Sequence, residues 1–583
     1  MPNLFNTVQT TLQGYNLFPL SHSNKFTTDL GILTPSLVLE LDPGDKLRIN
    51  LTQLIRTQPL VAPIMSNFYS DTHLFFIPYR LVYEDWSKFI VRGEDGETTY
   101  IKPYINPDPN NFGLSPEFFK PGGLLDYLNF PSIPDNVTLT NLPSMRIEMM
   151  LPNAYNLIYN EYYRDENLQP EIPIFNKSGQ NDNYSDIWAP ALTDYSNNWQ
   201  SVVDLRAAAT YLNPFRLRTR AWKKDSFSSA LPFVQKGPQV SLGTNFDQAS
   251  DRFLPVNFIG NPTTQPGSQI YNLGTSDTGE ISPLSPFNNY LLRLYDGNTQ
   301  QWLPTVFGGL VDFGDFQNNF MTIDDLRVGI ALSQWYELNA RVGSARYTEY
   351  LFGHFGVKDR DGRLQRPEYL GSFHSTINIS DVDQTSETNS TPLGTPAGKG
   401  LGFDTDGNIN FFVPEHGFII AITSIMPHAV YYMGLPRMWT RFDSFDYYDK
   451  FFDHLSEQAI LKRELVFNWT SGQMDADEGT YGPANDSDFG YQVRFAELRT
   501  AMNGLHGSFR GDLDYWVPRR DDIQNNASLN EAFITVDGYA QHLYDTFAYP
   551  GTASEPSHHF LCYFDWNIRK LSQKSKFGTP KTI

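Results

Sequence analysis

The groups in this chain that could do chemistry are a glycine-rich loop and clusters of carboxylates. The loop GTPAGKG at 394–400 imitates a phosphate-binding loop, but only three residues separate Gly394 from Gly398. Gly400 stands where such a loop needs Ser or Thr to bind magnesium. Two Asp-rich pieces, at 404–407 and 475–479, lack the rest of a calcium-binding loop and predict Asx turns instead.

Histidine and cysteine offer no better site. His416, His428 and the pair at 558–559 have neither the i, i+4 spacing nor the cysteine neighbours of a zinc site. The single cysteine, Cys562, excludes an intramolecular disulfide, and its strand-like surroundings predict a small buried residue. With 65 Asp and Glu residues, a carboxylate pair for glycoside cleavage is possible, but no particular pair stands out in the sequence. We therefore expect that the protein is not an enzyme and that it binds neither a cofactor nor a metal ion.

The segment 434–461, GLPRMWTRFDSFDYYDKFFDHLSEQAIL, suggests a different task. It is crowded with aromatic, Arg and Asp residues and holds no nucleophile paired with a base. Rigid amphipathic rings and Arg dominate the energetics of protein–protein contacts. The segment therefore predicts a protein that assembles.

The composition indicates a folded, mainly β protein. Aromatic residues make up 15% of the 583 residues and charged residues 19%, with 42 Gly and 39 Pro. This mixture favours aromatic strands and turns over long helices and argues against disorder. The net charge of −21 excludes a uniformly basic nucleic-acid coat, so phosphate contact would need local basic patches. With neither a signal-like N-terminus nor an apolar run of about 18 residues, a soluble cytoplasmic protein is expected.

Strand and helix patterns divide the chain into β-rich ends and a loop-rich middle. Alternation or apolar runs predict strands within 36–51, 72–77, 411–427, 464–469 and 558–568. Helical spacing appears at 151–170 and at 322–342, where Leu326, Ile330 and Tyr336 are predicted to face a core.

Charge divides the middle of the chain. Residues 212–240 are basic, which fits either phosphate binding or a solvated or salt-bridged face. Residues 241–321 carry seven acids against two Arg and predict a solvent-facing insertion.

An ordered set of blocks resembles the major capsid protein of microviruses, small icosahedral single-stranded DNA phages, and most of all its gokushovirus branch. The blocks run from about residue 20 to the C-terminus and lie at 60–90, 155–169, 228–240, 322–371, 434–448, 454–461 and 489–499. Among them are SNFYSDTHLFFIPYRLVYEDW, RVGSARYTEYLFGHFGVKDRDGRLQRPEYLG and GLPRMWTRFDSFDYY. The resemblance is weak at 91–150, 171–200 and 241–321.

The resemblance implies a structural protein found in the virion and assembled in the bacterial cytoplasm. Its fold would be one eight-stranded antiparallel jelly roll spanning 1–583, with inserted loops and helices at 91–320. Residues 241–321 would form a protrusion at the threefold axis that serves in host attachment. The shell would have T=1 icosahedral symmetry around a circular single-stranded DNA genome. The other implied partners are a small basic DNA-binding protein, a pilot protein and a host receptor.

Two groups of residues are candidates for contacts in such a particle. Aromatic-Arg stretches at 434–448 and 341–355 could meet neighbouring subunits or pack within their own subunit. The candidate interface residues are Arg437, Trp439, Arg441, Phe442, Tyr447 and Tyr448. The basic C-terminal run at 567–583 could bind DNA or clamp a neighbour, with Arg569, Lys570, Lys574, Lys576 and Lys581 as the candidate DNA-facing residues. The alternative to a capsid protein is a β-rich carbohydrate-binding or carbohydrate-cleaving protein.

Overall fold

The structure is a computed structural model, and its description covers most of the chain with gaps. The described residues are 14–92, 100–105, 116–134, 146–177, 211–234, 236, 268–271, 293–296, 301–303, 323–342, 365–383, 396–453, 457–469, 481–520, 528–536, 545–548 and 558–576. Two compact units are distinguished: residues 1–234 with 339–583, and residues 235–338.

A curled antiparallel sheet of nine strands dominates the first unit. Its strands are β1 (Asn16–Pro19), β2 (His22–Thr28), β3 (Thr34–Leu41), β4 (Lys46–Thr57), β5 (Phe68–Pro78), β11 (Glu368–Asp383), β12 (Pro396–Phe412), β13 (Gly417–Met426) and β16 (Phe560–Ser572). The order is β1-β16-β4-β12-β11-β5-β13-β3, and β2 also pairs with β16. We call β2, β16, β4 and β12 the β4 side of the sheet, and β11, β5, β13 and β3 the β5 side. Strands from the two ends of the chain are thus direct neighbours.

The core lies between the two sides of this sheet. Buried and exposed residues alternate strictly along β16, and those of β4 alternate nearly as well, because successive side chains point to opposite faces of a strand. The inward-facing residues of β4 and β16 share one apolar cluster with those of β5 and β13. Phe68 of β5 meets Phe560 of β16 edge to face at 5.4 Å, and Phe373 of β11 lies 6.1 Å from Trp566.

The β5 side is buried on both of its faces, which explains its nearly continuous apolar sequence. A second apolar cluster packs the outer face of β5 and β13 against short helices from the segment that follows β5. These helices are α1 (Tyr79–Val82), α2 (Trp86–Val91), α3 (Leu124–Tyr127) and α4 (Met150–Ile158), together with the 3₁₀ turn Pro116–Phe119 and the π turn Tyr159–Tyr163. The only strands described in this segment are the pair β6 (Tyr104–Ile105) and β7 (Ile147–Glu148).

The remaining elements are short. Residues 235–338 contain a three-stranded sheet of β8 (Ser268–Tyr271), β9 (Arg293–Asp296) and β10 (Gln301–Leu303). The helix Ile323–Val342 begins in that unit. After β13 come the antiparallel pair β14 (Glu457–Leu461) and β15 (Asp488–Val493), and the helices Lys462–Leu465, Pro483–Asp486 and Glu531–Ile534. The 3₁₀ turns of this region are Arg437–Trp439, Ser444–Asp446, Ala496–Leu498, Gly507–Arg510 and Asp514–Trp516.

Most of the predicted strands are confirmed, and one is wrong. The predictions at 36–51, 72–77 and 558–568 fall on β3, β4, β5 and β16, and the block at 411–427 contains the end of β12 and all of β13. Residues 464–469 form no strand, because Lys462–Leu465 is a helical turn in which Glu464 accepts the backbone N–H of Leu461. Cys562 is buried in β16, and its burial raises the pKa of the thiol well above the ordinary value.

The glycine-rich and Asp-rich motifs contribute residues 396–407 to β12 instead of forming a loop and an Asx turn, and residues 394–395 lie outside the described part. A Cβ on Gly398 would lie 2.5 Å from the carbonyl oxygen of Ala62, so only glycine permits this close approach. The backbone N–H of Gly400 donates to Thr57 Oγ1 at 2.7 Å. Gly407 has a φ of +72° at a bulge in the β12–β4 pairing. Close packing against distant residues and a left-handed backbone at the bulge, which the local sequence does not display, therefore explain these glycines.

The helix predictions were partly wrong. Helix α4 ends at Ile158 and its last turn widens into the π turn, so the predicted helix at 151–170 is too long. The helix Ile323–Val342 exists as expected, but Ile330 is 49% exposed and does not face a core. Leu326 is half-buried, and the side chain of Tyr336 lies outside the described part. The expected apolar face is thus not covered within the described residues.

The basic run at 212–240 is largely engaged within the subunit. Arg218 is buried and donates to the carbonyl oxygens of Tyr211 and Asn213, both at 2.5 Å. Arg220 pairs with Asp71 at 2.6 Å, and Lys224 pairs with Asp165 at 2.5 Å. These contacts favour the salt-bridged interpretation over phosphate binding.

Because His73 on β5 is largely buried, we expect the protein to lose stability in mild acid. Burial, and then the nearby Arg220, lower the pKa of His73 to about 4, against an ordinary 6.5. Below pH 6.5 the unfolded chain therefore binds a proton that the folded chain does not bind, so the free energy of unfolding falls as pH drops from 6.5 to 4. The upper bound on this loss is about 3 kcal/mol, from 1.36 kcal/mol per unit.

Urea unfolding of the wild-type protein and of His73→Gln at pH 7.0 and pH 5.0 measures this effect. The variant should lose less stability on acidification, because glutamine does not titrate. His374→Gln is a matched control, since His374 is exposed and its Nδ1 faces Asp71 at 2.7 Å. An equal acid response in the wild-type protein and His73→Gln would contradict the assignment.

Candidate assembly surface

The aromatic residues of 434–461 lie on short turns instead of a helix or strand. The turn Ser444–Asp446 is closed by Asp443, whose side chain accepts the backbone N–H of Phe445, while Asp446 accepts from Asp443. Asp449 caps the next turn by accepting from the backbone N–H of Phe451 at 2.8 Å. The Asp side chains of this segment thus fix the backbone in short turns. Unlike a helix or strand, these turns do not align the rings on one face that could pack against the subunit's own core.

Two arginines fix the segment to the rest of the subunit. Arg437 donates to the carbonyl oxygen of Ala459 at 2.7 Å and pairs with Glu464 at 3.1 Å. Arg441 pairs with Glu497 at 2.8 Å and lies 5.7 Å from the ring of Tyr447. Both arginine side chains are largely buried, so largely buried ion pairs attach the aromatic segment to the rest of the subunit.

The start of the segment is fixed by backbone contact. A Cβ on Gly434 would lie 1.9 Å from the carbonyl oxygen of Glu464, so this position admits only glycine. A cavity of about 380 Å³ lies beside it, lined in part by Arg437, Glu464 and Ile460. Burial raises the pKa of the Glu464 carboxyl, although Arg437 opposes this shift.

The rings above these anchors face solvent, and we call them the aromatic patch. Its members, each more than half exposed, are Met438, Trp439, Phe442, Phe445, Tyr447, Tyr448 and Phe451. A buried aromatic side chain covers about 150–250 Å², so six half-exposed rings present on the order of 600 Å². That approaches the roughly 800 Å² that each partner contributes to a standard interface. An exposed apolar surface of this size is typical of an interaction site.

The structure divides the predicted interface residues into two groups. Trp439, Phe442, Tyr447 and Tyr448 are exposed and available to a partner, whereas Arg437 and Arg441 serve the subunit itself. The structure contains one subunit, so the interface assignment stays a prediction. Most of the second predicted stretch, 341–355, lies outside the described residues.

The predicted DNA-facing residues are also divided. Arg569 is exposed on β16, whereas Lys570 is buried and pairs with buried Asp45 at 2.5 Å. Lys574 is exposed and pairs with Asp42, and Lys576 is exposed. Lys581 lies outside the described residues. Strand β16 continues to Ser572, so residues 567–572 belong to the sheet.

Neither a metal centre nor a membrane-spanning helix accompanies this surface in the described part of the chain. Among the described residues, no group of three His, Cys, Asp or Glu side chains is placed to hold a metal ion. No helix in the described ranges combines the length and the apolar character of a membrane span.

Comparison with known proteins decides the family. The profile of the phage capsid protein (F protein) family matches residues 6–574. The chain belongs to this family. Capsid protein VP1 of Chlamydia phage 1 is 32% identical, with the match covering all of this chain and 98% of that protein. The VP1 proteins of Bdellovibrio phage phiMH2K and Spiroplasma virus 4 are 29% and 27% identical, over 91% and 85% of this chain.

The resemblance to microvirus capsid proteins is therefore confirmed along the whole chain. This capsid protein is structural and not an enzyme, and it assembles into the shell of a virion. Its fold is mostly β, with a curled antiparallel sheet and few helices.

The basic surface that the outward residues of β4 form was not identified from the sequence. The outward residues of β4 include Lys46, Arg48 and Arg56, whereas the basic segments singled out from the sequence were the run at 212–240 and the C-terminus. The signal was present in KLRINLTQLIRT, where cations recur at even spacing between apolar residues. Period-two spacing places those cations on one face of a strand.

Proposed function

We propose that this capsid protein builds a T=1 icosahedral shell around a circular single-stranded DNA genome, with the aromatic patch as one contact between neighbouring subunits. The observation that carries the proposal is the patch itself, in which rigid rings are exposed above buried ion pairs. Contacts that close around a symmetry axis need complementary surfaces on one chain. Rings held on fixed turns lose little conformational freedom on binding, which favours them as interface anchors.

The proposed subunit fold is an eight-stranded jelly roll. Its support is the strand order, which is β2-β16-β4-β12 on one side and β3-β13-β5-β11 on the other. Each side alternates strands from early and late in the chain, which is the interleaving that two Greek keys produce. The shared apolar core between the sides fits this arrangement.

The proposed surface protrusion is the acidic insertion at 241–321. Residues 235–338 form a compact unit of their own, and the insertion carries seven acids against two Arg. A separate unit within a loop connection can vary without disturbing the sheet. We assign to it the threefold protrusion and contact with a host receptor.

The proposed genome contacts at the C-terminus are Arg569, Lys574, Lys576 and Lys581. They follow or end a strand in a run with no acid after Asp565. Because the whole chain has a net charge of −21, a small basic DNA-binding protein would supply further neutralising charge. A pilot protein completes the proposed virion.

Sedimentation of the purified full chain tests the assembly proposal. The protein should sediment as closed shells or as ring-shaped intermediates, and electron cryomicroscopy of the shells should show one subunit per icosahedral asymmetric unit. Shells with several non-equivalent subunits would refute T=1 symmetry. A chain that stays monomeric over a broad range of concentration and salt would refute assembly without partners.

A further inference from the structure

The outer face of the β4 side carries positive charge that the rest of the subunit does not neutralise. Its exposed cations on β2, β4 and β16 are Lys25, Lys46, Arg48, Arg56 and Arg569. The same three strands contain one carboxylate, Asp565, and β12, the fourth strand of this side, adds Asp404 and Asp406. This concentration of cations stands out in a chain with a net charge of −21.

These five cations differ from a set of arginines elsewhere in the described residues that pair with carboxylates. Within the described part of the chain, none of the five forms an ion pair. By contrast, the arginines with carboxylate partners are Arg80, Arg220, Arg437, Arg441, Arg463, Arg499 and Arg519. The cations of this face make only weaker contacts, such as Lys25 over the Tyr563 ring at 5.9 Å and Arg48 with Asn408 Oδ1 at 2.5 Å.

The strand register brings like charges together. Arg48 of β4 lies directly opposite Arg569 of β16. Like charges directly opposite each other on neighbouring strands destabilise a sheet. Arg48 and Arg56 are eight residues apart on one strand, which spans about 26 Å. The face therefore presents an extended positive surface whose mutual repulsion a bound polyanion would relieve.

Exposed rings lie among these cations. Tyr563 of β16 is paired with Leu54 of β4, and Leu54 is paired with Phe403 of β12, so the three form one row across the sheet. Phe403 is 67% exposed, and Phe412 on the same face of β12 is 55% exposed. Exposed rings among cations can stack on unpaired bases, whereas the bases of a duplex are already stacked on one another.

We propose that this outer face, formed by β2, β16, β4 and β12, binds single-stranded DNA. Arg48 and Arg569 contact the DNA backbone at one end of the face, Arg56 contacts a phosphate several nucleotides further along the same DNA strand, and the rings of Tyr563 and Phe403 stack on bases. The inference rests on the proposed function, because it assigns the genome to one face of the capsid subunit. It differs from the C-terminal assignment in placing the main contacts on the sheet, with Arg569 common to both.

Binding of a fluorescent oligothymidylate to the unassembled full-length subunit tests the proposal. The triple variant Arg48→Gln, Arg56→Gln, Arg569→Gln should bind at least tenfold more weakly. Its plot of log K against log salt should flatten by about 0.7 for each phosphate that the variant no longer neutralises. A matched control, Lys88→Gln, Lys102→Gln, Arg499→Gln, removes the same charge from exposed ion pairs elsewhere and should bind nearly as the wild-type protein does.

The rings are tested separately with Phe403→Ser and Tyr563→Ser. Each change should weaken oligothymidylate binding about fivefold or more and leave the salt slope unchanged, because stacking involves no phosphate. Circular dichroism and thermal unfolding identify any variant that does not fold, and Phe403→Leu keeps the apolar contact while removing the ring.

Four outcomes would overturn the inference. The first is unchanged oligonucleotide binding by the folded triple variant, and the second is an equal loss in the matched control. The third is equally tight binding of a duplex of the same length or of vesicles containing phosphatidylserine. The fourth is loss of shells with unchanged DNA binding, which would make this face a subunit contact. Binding of the oligonucleotide is measured on unassembled subunits, so it does not depend on shell formation. Failure to form shells would therefore refute the assembly proposal, and the DNA-binding face would still stand or fall by the measured oligonucleotide affinity.

Discussion

A subunit that carries both Trp439→Ser and Phe442→Ser is expected to stay folded and to lose the ability to form shells. Both rings are about two-thirds or more exposed, so their removal costs the isolated subunit little apolar burial. In an interface, truncation of one central aromatic anchor typically costs about 2 kcal/mol or more. The loss is repeated at every copy of the contact, so shells should be undetectable at concentrations where the wild-type protein assembles.

Analytical ultracentrifugation measures the sedimenting species, and thermal unfolding of the unassembled subunit measures the effect on the fold. Trp469→Ser is a matched control, since Trp469 is 82% exposed but lies outside the aromatic patch. Shells formed by the double variant at the wild-type yield would refute the patch as a contact. A large fall in the melting temperature of the double variant would instead show that the rings brace their own subunit.

Lys570→Gln is expected to destabilise the subunit strongly, by about 3–5 kcal/mol, because it leaves a buried carboxylate without its partner. The Asp45 side chain is 2% exposed and that of Lys570 is 7% exposed. The nearby Lys574–Asp42 pair is a control of the same chemistry, but its side chains are 59% and 42% exposed. An exposed pair contributes about 0–1 kcal/mol, so Lys574→Gln should be nearly neutral.

Urea unfolding of the two variants at neutral pH measures this difference. The double variant Asp45→Leu, Lys570→Met should recover most of the stability, since similar apolar groups can replace a buried pair. Equal stability of Lys570→Gln and the wild-type protein would contradict the buried pair. The result also separates the roles of adjacent residues: Lys570→Gln should affect stability, and Arg569→Gln should affect binding of DNA.

For the C-terminal basic run, the positions of charged residues in the sequence were not enough to assign each cation a role. The sequence KLRINLTQLIRT and the run NIRKLSQKS each display several cations, but composition does not say which cations face inward. On β16, alternation places Arg569 outside and Lys570 inside, and the one-residue difference reverses their environments. Only the position of Asp45 across the sheet explains why the inward lysine is tolerated.

The glycine motifs required the tertiary structure for a different reason. A run such as GTPAGKG looks like a loop when each glycine is judged by its neighbours in sequence. Gly398 is required because the backbone at Ala62 comes within contact distance, and Ala62 is more than 300 residues away. Close approach of distant backbones leaves no local signal beyond the glycine itself.

The sequence by itself determined the mainly β class, the strands β3, β4, β5 and β16, the buried cysteine and membership of the capsid family. These follow from alternation, composition and ordered blocks, which are properties of local sequence. The tertiary structure decided which residues of 434–461 are anchors and which are exposed rings, because that depends on Glu464 and Glu497, which lie outside the segment. It also decided that the cations of β2, β4 and β16 share one outer face, since these strands come from opposite ends of the chain.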